Sequence, residues 1–138
     1  MTRRPSRVAV AAAVLQIGIA AFQVALALGA PWGRASYGGV HAGVLPTEFR
    51  VASAISVPVH LAFAAVALGA LVPGRGRRPA LWGLTGFAAL ACLVNAATPS
   101  PVERAIWAPV TATLTVLFAL LARREGRSGD RVAARATR

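Results

Sequence analysis

The sequence predicts an all-α integral membrane protein, a four-helix bundle with both termini in the cytoplasm, and three observations predict it. Charged residues are only 14% of the chain and hydrophobic ones 57%, whereas soluble domains average about 25% charged. Four apolar runs are each long enough, at about 1.5 Å per helical residue, to cross a hydrocarbon core of about 30 Å. The fifteen basic residues, all arginine, are distributed unevenly along the chain. Arg3, Arg4 and Arg7, then Arg75, Arg77 and Arg78, then Arg123, Arg124, Arg127, Arg131, Arg135 and Arg138 fall on one side of a four-span topology, leaving Arg34, Arg50 and Arg104 on the other. The positive-inside rule assigns the arginine-rich side to the cytoplasm. Trp32 and Trp107 are then expected at the outer interface and Trp82 at the inner one, where indoles concentrate.

The elements follow in order. A basic N-terminus, residues 1–7, precedes a first span over residues 8–30. A basic start with a small-residue end also resembles a signal peptide, but the uncharged run exceeds an h-region of about 7–15 residues, so a retained helix is expected. Residues 31–47 form the long outer loop. The second span covers residues 48–72 and is closed by Pro73-Gly74 and the basic turn. Pro79 suits the first turn of a third span over residues 80–97. Ser100-Pro101-Val102-Glu103 reads as a capping box, with Ser100 as N-cap and Glu103 reaching back to its amide. It opens a fourth span over residues 101–122. The Arg-rich tail, residues 123–138, is expected to be disordered.

Polar and small residues fall in stripes at helical spacing, which is how membrane helices pack. Ala9, Ala12, Gln16, Ala20, Gln23 and Ala27 share one face of the first span. Ser53, Ser56, His60, Ala64 and Ala67 share one of the second, and Ala108, Thr111, Thr115, Ala119 and Ala122 one of the fourth. The third offers Gly83, Gly86, Cys92 and Asn95 with no clean stripe. A separate seam, Gly18, Ala21, Ala25 and Gly29, suits a neighbouring helix or a second copy. The polar atoms gather in the outer half, where Pro58 and Pro109 each remove a backbone donor and favour a kink. A cavity is therefore expected there, with Gln23, Ser56, His60, Asn95 and Thr111 as candidate ligand-binding residues. His60 is the sharpest of them, because an ionisable residue at membrane depth is a functional candidate by default. The plainer alternative is an interhelical hydrogen bond, to Gln23 or Ser56.

Glu103 with Arg104, and Glu48 with Arg50, read as charge pairs on the outer face, where the arginines could grip an anionic headgroup. Several chemistries are disfavoured. One cysteine, Cys92, gives neither an intrachain disulfide nor a cysteine zinc site. Asp130, the only aspartate, lies in the tail, which excludes a serine-histidine-aspartate triad. His41 and His60 lack metal-ligand spacing, and the glycines at 33, 38, 39 and 43 lack the strand, helix and lysine of a phosphate loop. No catalytic residue, metal or cofactor is indicated.

Two motifs carry a resemblance. PWG followed by GG, LP and Arg50 (Pro31 to Arg50), and NAATPSPVERAIWAP (Asn95 to Pro109), resemble a family of small uncharacterised four-span bacterial membrane proteins over roughly residues 8–122. The resemblance implies motif positions at Trp32, Gly38, Gly39, Arg50, Asn95, Glu103, Arg104, Trp107 and Pro109, and carries no activity. The layout is also similar to DoxX-like and emopamil-binding-like proteins, although the acidic and histidine pattern of the latter is missing here. The expected function is a non-enzymatic, multi-pass protein of the bacterial inner (plasma) membrane. It would hold a small apolar or amphiphilic ligand in an outer-leaflet pocket, or serve as an accessory subunit. The alternatives are an oligomeric small transporter or channel and, third, a membrane enzyme acting on lipid or quinone through His60 or Glu103. The expected partners are the lipid bilayer and a homo-oligomer or larger membrane complex, with no nucleic acid.

Overall fold

The computed structural model describes residues 4–136, with side chains described as far as residue 126; Met1, Thr2, Arg3, Thr137 and Arg138, ends of the basic N-terminus and tail, lie outside the described residues. The chain forms α1 (Arg7–Ala27), α2 (Thr47–Leu68), α3 (Arg77–Ala97) and α4 (Pro101–Ala136), with short 3-10 turns at Gly33–Ala35, Tyr37–Gly39 and Gly74–Gly76. No strand occurs among the described residues. All four helices are long and apolar enough to cross a membrane, the fourth over Pro101–Gly126.

Helix ends are set by local chemistry rather than by where hydropathy falls. Ser6 caps α1, its hydroxyl accepting from the Ala9 amide at 3.2 Å, the exchange that makes serine a good N-cap. Helix α1 stops at Ala27, short of the expected Ala30, because the Arg50 side chain takes the Ala27 carbonyl at 3.0 Å and the chain turns at Gly29. Helix α2 stops at Leu68, short of the expected Val72. Gly69 adopts a left-handed conformation, φ 80°, and its amide returns to Ala65 and Val66, the glycine C-cap that ends many helices. Both α2 and α4 run unbroken through Pro58 and Pro109. Helix α4 continues past Ala122, so the tail expected to be disordered is helical as far as Ala136. Arginine and alanine are good helix formers, and no proline follows Pro109 to stop the helix.

The helices pack as two antiparallel hairpins, α1 with α2 and α3 with α4, joined along α1 and α4. Helices α2 and α3 touch over only a short stretch. Phe63 and Phe87 meet edge to face there, 5.4 Å between centroids. Apolar packing is concentrated at the end carrying the termini, where Ala12, Ala67, Leu81, Leu114, Phe118 and Ala122 are almost wholly buried. The three stripes converge inward as the spacing predicts, with Ala9, Gln16, Ser53, Ala67, Thr111 and Ala122 buried. Helix α3 instead buries Leu81, Leu84 and Ala88. Its Gly83 and Gly86 lie on the exposed side, with open space where a side chain would be.

Candidate functional site

At the opposite end the bundle is hollow. A cavity of about 700 Å³ lies between the helices beneath the first loop, within the range of about 300–1,000 Å³ typical of small-molecule sites. Gln23, Ser56, His60, Asn95 and Thr111 all line it. Its floor is a polar bridge, His60 Nδ1 to Gln16 Oε1 at 2.7 Å. The amide oxygen only accepts, so Nδ1 carries the proton in this contact, and a neutral ring then keeps its lone pair on Nε2. The interhelical partner of His60 is thus Gln16, not Gln23 or Ser56. Ser56 and Thr111 turn back to carbonyls of their own helices, Ala52 at 2.9 Å and Trp107 at 2.6 Å. Gln23 stands differently, its Oε1 buried with no hydrogen-bond partner.

The roof is the first loop, held by contacts that span more than sixty residues of sequence. The Gly38 amide donates to Glu103 Oε2 at 2.9 Å, and the Thr98 hydroxyl donates to the same oxygen at 2.6 Å. The Ser100 hydroxyl donates to the Arg34 carbonyl at 2.6 Å, and the Trp107 indole to the Ala35 carbonyl at 2.7 Å. On the other side the Tyr37 hydroxyl lies 3.0 Å from Ser53 Oγ and donates to the Phe49 carbonyl at 3.3 Å. The loop therefore straps α2 to α4. Tyr37, Gly38 and Gly39 take positive φ in succession, 50°, 77° and 69°, a turn that presents the Gly38 amide to the carboxylate. The tyrosine bears the steric cost of that conformation, and its two hydroxyl contacts and its ring packing on Phe49 hold it there.

No protein-family model, curated protein or solved structure matches this chain. Its cavity is therefore the ground for a functional reading.

Several expectations need correction at this roof. Half of the capping box is present, since Ser100 Oγ accepts from the Glu103 amide at 3.2 Å. The Glu103 carboxylate does not return to the Ser100 amide, because Thr98 and Gly38 offer it donors across the loop. The charge pairs Glu103–Arg104 and Glu48–Arg50 do not form; an ion pair, Arg77–Glu125 at 3.1 Å, lies at the other end. Side chains one or two apart on a helix point away from each other. Arg104 instead donates to the Thr98 carbonyl at 2.8 Å and Arg50 to the Ala27 carbonyl. Each arginine sits in the first turns of one helix and binds the end of the helix before it. Trp107 lines the cavity rather than sitting at the periphery, while Trp32 is half exposed and stacks on Phe22 at 5.9 Å. Gly39 is pressed against Ser100, where a Cβ would come within 2.6 Å. Sequence reasoning did not single out Tyr37, Phe87 or Thr98 as lining residues, since an aromatic in an apolar run carries no signal of which cavity it faces and a loop residue none of how the loop folds over the bundle.

Proposed function

We propose that this chain is a multi-pass protein of the bacterial plasma membrane that binds a small amphiphilic ligand in its outer-leaflet half. Its termini face the cytoplasm. The observation carrying this reading is the hollow half itself, a cavity in which Gln23 Oε1 is buried without a partner, set against the apolar core nearer the termini. The arginine asymmetry supports the orientation, which puts the strap outside and the arginine-rich end inside. The short α2–α3 contact supports access from the hydrocarbon region rather than from water.

Orientation is tested by scanning cysteines in a Cys92→Ser background. Val40→Cys, on the exposed strap, is expected to react in intact cells with a membrane-impermeant maleimide, and Arg75→Cys only after lysis; the reverse pattern would overturn the topology. Ligand binding is tested by native mass spectrometry of the protein extracted with its lipids. Small-molecule adducts are expected on the wild type and diminished on Ala91→Trp, whose indole takes up part of the cavity. Equal adducts on both would refute the pocket.

A second reading, assembly of several copies into a transporter or channel, is supported by the outer seam of α1. Gly18 and Ala21 are exposed, with open space beside Gly18. Gly18→Leu is expected to shift the oligomer distribution in that case, and a monomer in mild detergent counts against it.

A further inference from the structure

Resting on that reading of the cavity, we infer the chemical class of its occupant: an amphiphile with a protonated amine as its head and an apolar body. The argument is one of charge and hydrogen-bonding sense. Although the chain carries fifteen arginines, none lines the cavity. Arg50 and Arg104 at that end are bound to the Ala27 and Thr98 carbonyls, and Arg34 is exposed. The ionisable carboxyl on the wall is Glu103, in the first turn of α4 where the helix dipole favours negative charge. Both of its hydrogen bonds fall on Oε2, and Oε1 has no partner among the described residues.

The buried cavity atom that lacks a partner has the same sense. Gln23 Oε1 is buried without a donor, and an amide oxygen can only accept. His60, committed to Gln16 through Nδ1, offers Nε2 as an acceptor when its ring is neutral. The amide NH2 groups of Gln16, Gln23 and Asn95 add donors to the same wall, so the sign of charge, a carboxylate with no arginine beside it, selects the head group. An ammonium supplies three, a hydroxyl one and a carboxylate none. Phe22, Tyr37 and Trp107 also line the cavity, and aromatic ring faces attract cations. An anionic head would face acceptors and a carboxylate with no cation to balance it, a costly arrangement in a poorly solvated site. The apolar body has its own surface, Ile19, Ala88, Ala91, Val94 and Leu114. Helices α2 and α3 bound the way in, with Ser56 and His60 on one side and Ala91 and Val94 on the other.

The test compares dodecylamine, dodecanol and dodecanoate at neutral pH on the full chain in phosphatidylcholine nanodiscs. Trp32→Phe and Trp82→Phe leave Trp107 as the fluorescent reporter inside the cavity, and the counterpart with Trp32→Phe and Trp107→Phe keeps Trp82, on the exposed side of α3, to read partition into the bilayer. Dodecylamine is expected to bind at least about tenfold more tightly than either analogue, equivalent to about 1.4 kcal/mol. Glu103→Gln, which keeps an acceptor oxygen for Gly38 and Thr98, is expected to abolish that margin. Gln23→Leu, which touches none of the strap's bonds, is expected to weaken amine binding about tenfold and serves if Glu103→Gln fails to fold. Equal binding of the alcohol or the carboxylate, or undiminished amine binding in the variants, overturns this assignment and leaves the cavity reading standing. Saturable binding of none of the three beyond the Trp82 background overturns both.

Discussion

Gly39 and Gly74 form a matched pair of substitutions that measures how tightly the strap is seated. Both have nearly the same left-handed backbone, φ 69° and 70°, but a Cβ at Gly39 would lie 2.6 Å from Ser100 Cβ whereas one at Gly74 meets nothing within 4 Å. Alanine in the left-handed region costs about 1–2 kcal/mol, offset by about 0.4–1 kcal/mol from the stiffer unfolded chain. Gly74→Ala should therefore destabilise by about 0.5–1 kcal/mol. Gly39→Ala must also displace Ser100, which donates to the Arg34 carbonyl at 2.6 Å and accepts from the Glu103 amide at 3.2 Å. The first bond is worth about 1 kcal/mol and the helix cap about 0.5–2 kcal/mol, so the total loss should be about 2–4 kcal/mol. Reversible unfolding in mixed micelles, followed by circular dichroism, reads the difference between the two variants. If they agree within about 0.5 kcal/mol, the strap is not pressed on Ser100 as described and the argument fails.

Three further outcomes follow from the same geometry. Trp107→Phe keeps the ring but removes the indole donor to Ala35, and should cost about 0.5–1.5 kcal/mol while raising amide exchange across residues 33–39. Gln16→Leu and His60→Leu, combined in a double-mutant cycle, should show coupling of about 0.6 kcal/mol and no more than about 1.7, the span measured for hydrogen bonds between membrane helices; zero coupling would mean the bridge does not form. Glu103→Ala removes the acceptor for Gly38 and Thr98, and should free the Gly38 amide to exchange with solvent while leaving amides around Leu81 and Phe118 protected. Loss of protection at both ends would show that the two halves are not independent.

The four helices were legible because each apolar run is long and set apart from the next by a polar segment. Gln16, Gln23, Ser56, His60 and Thr111 were legible as members of inward stripes, since a helical period of 3.6 fixes which residues share a face. Other features depend on distances the sequence does not encode. Which glutamine meets His60 is decided by the relative height of α1 and α2, and only the packed hairpin sets it. The carboxylate of Glu103 had a short-range partner available in its own cap, yet Gly38, sixty-five positions away, competes for it once the strap folds over. Arg50 and Arg104 read as surface charges because a sequence shows the charge but not the helix-end carbonyl within its reach. The run past Ala122 was read from charge density, whereas helix propensity, which is high for arginine and alanine, was the better guide.

The short α2–α3 contact has a mechanical meaning when set beside the strap. The two hairpins are fastened at one end by the apolar packing around Phe118 and at the other by the loop that ties α2 to α4. An opening between α2 and α3 is then a slit in a closed frame, not the jaws of a hinge, and it widens only if a helix bows outward. Pro58 lies on α2 at the height of Ser56 and His60 but on the opposite, exposed face, where its missing amide leaves the Ala54 carbonyl unbonded within the helix. The most pliable point of α2 therefore stands at the height of the cavity.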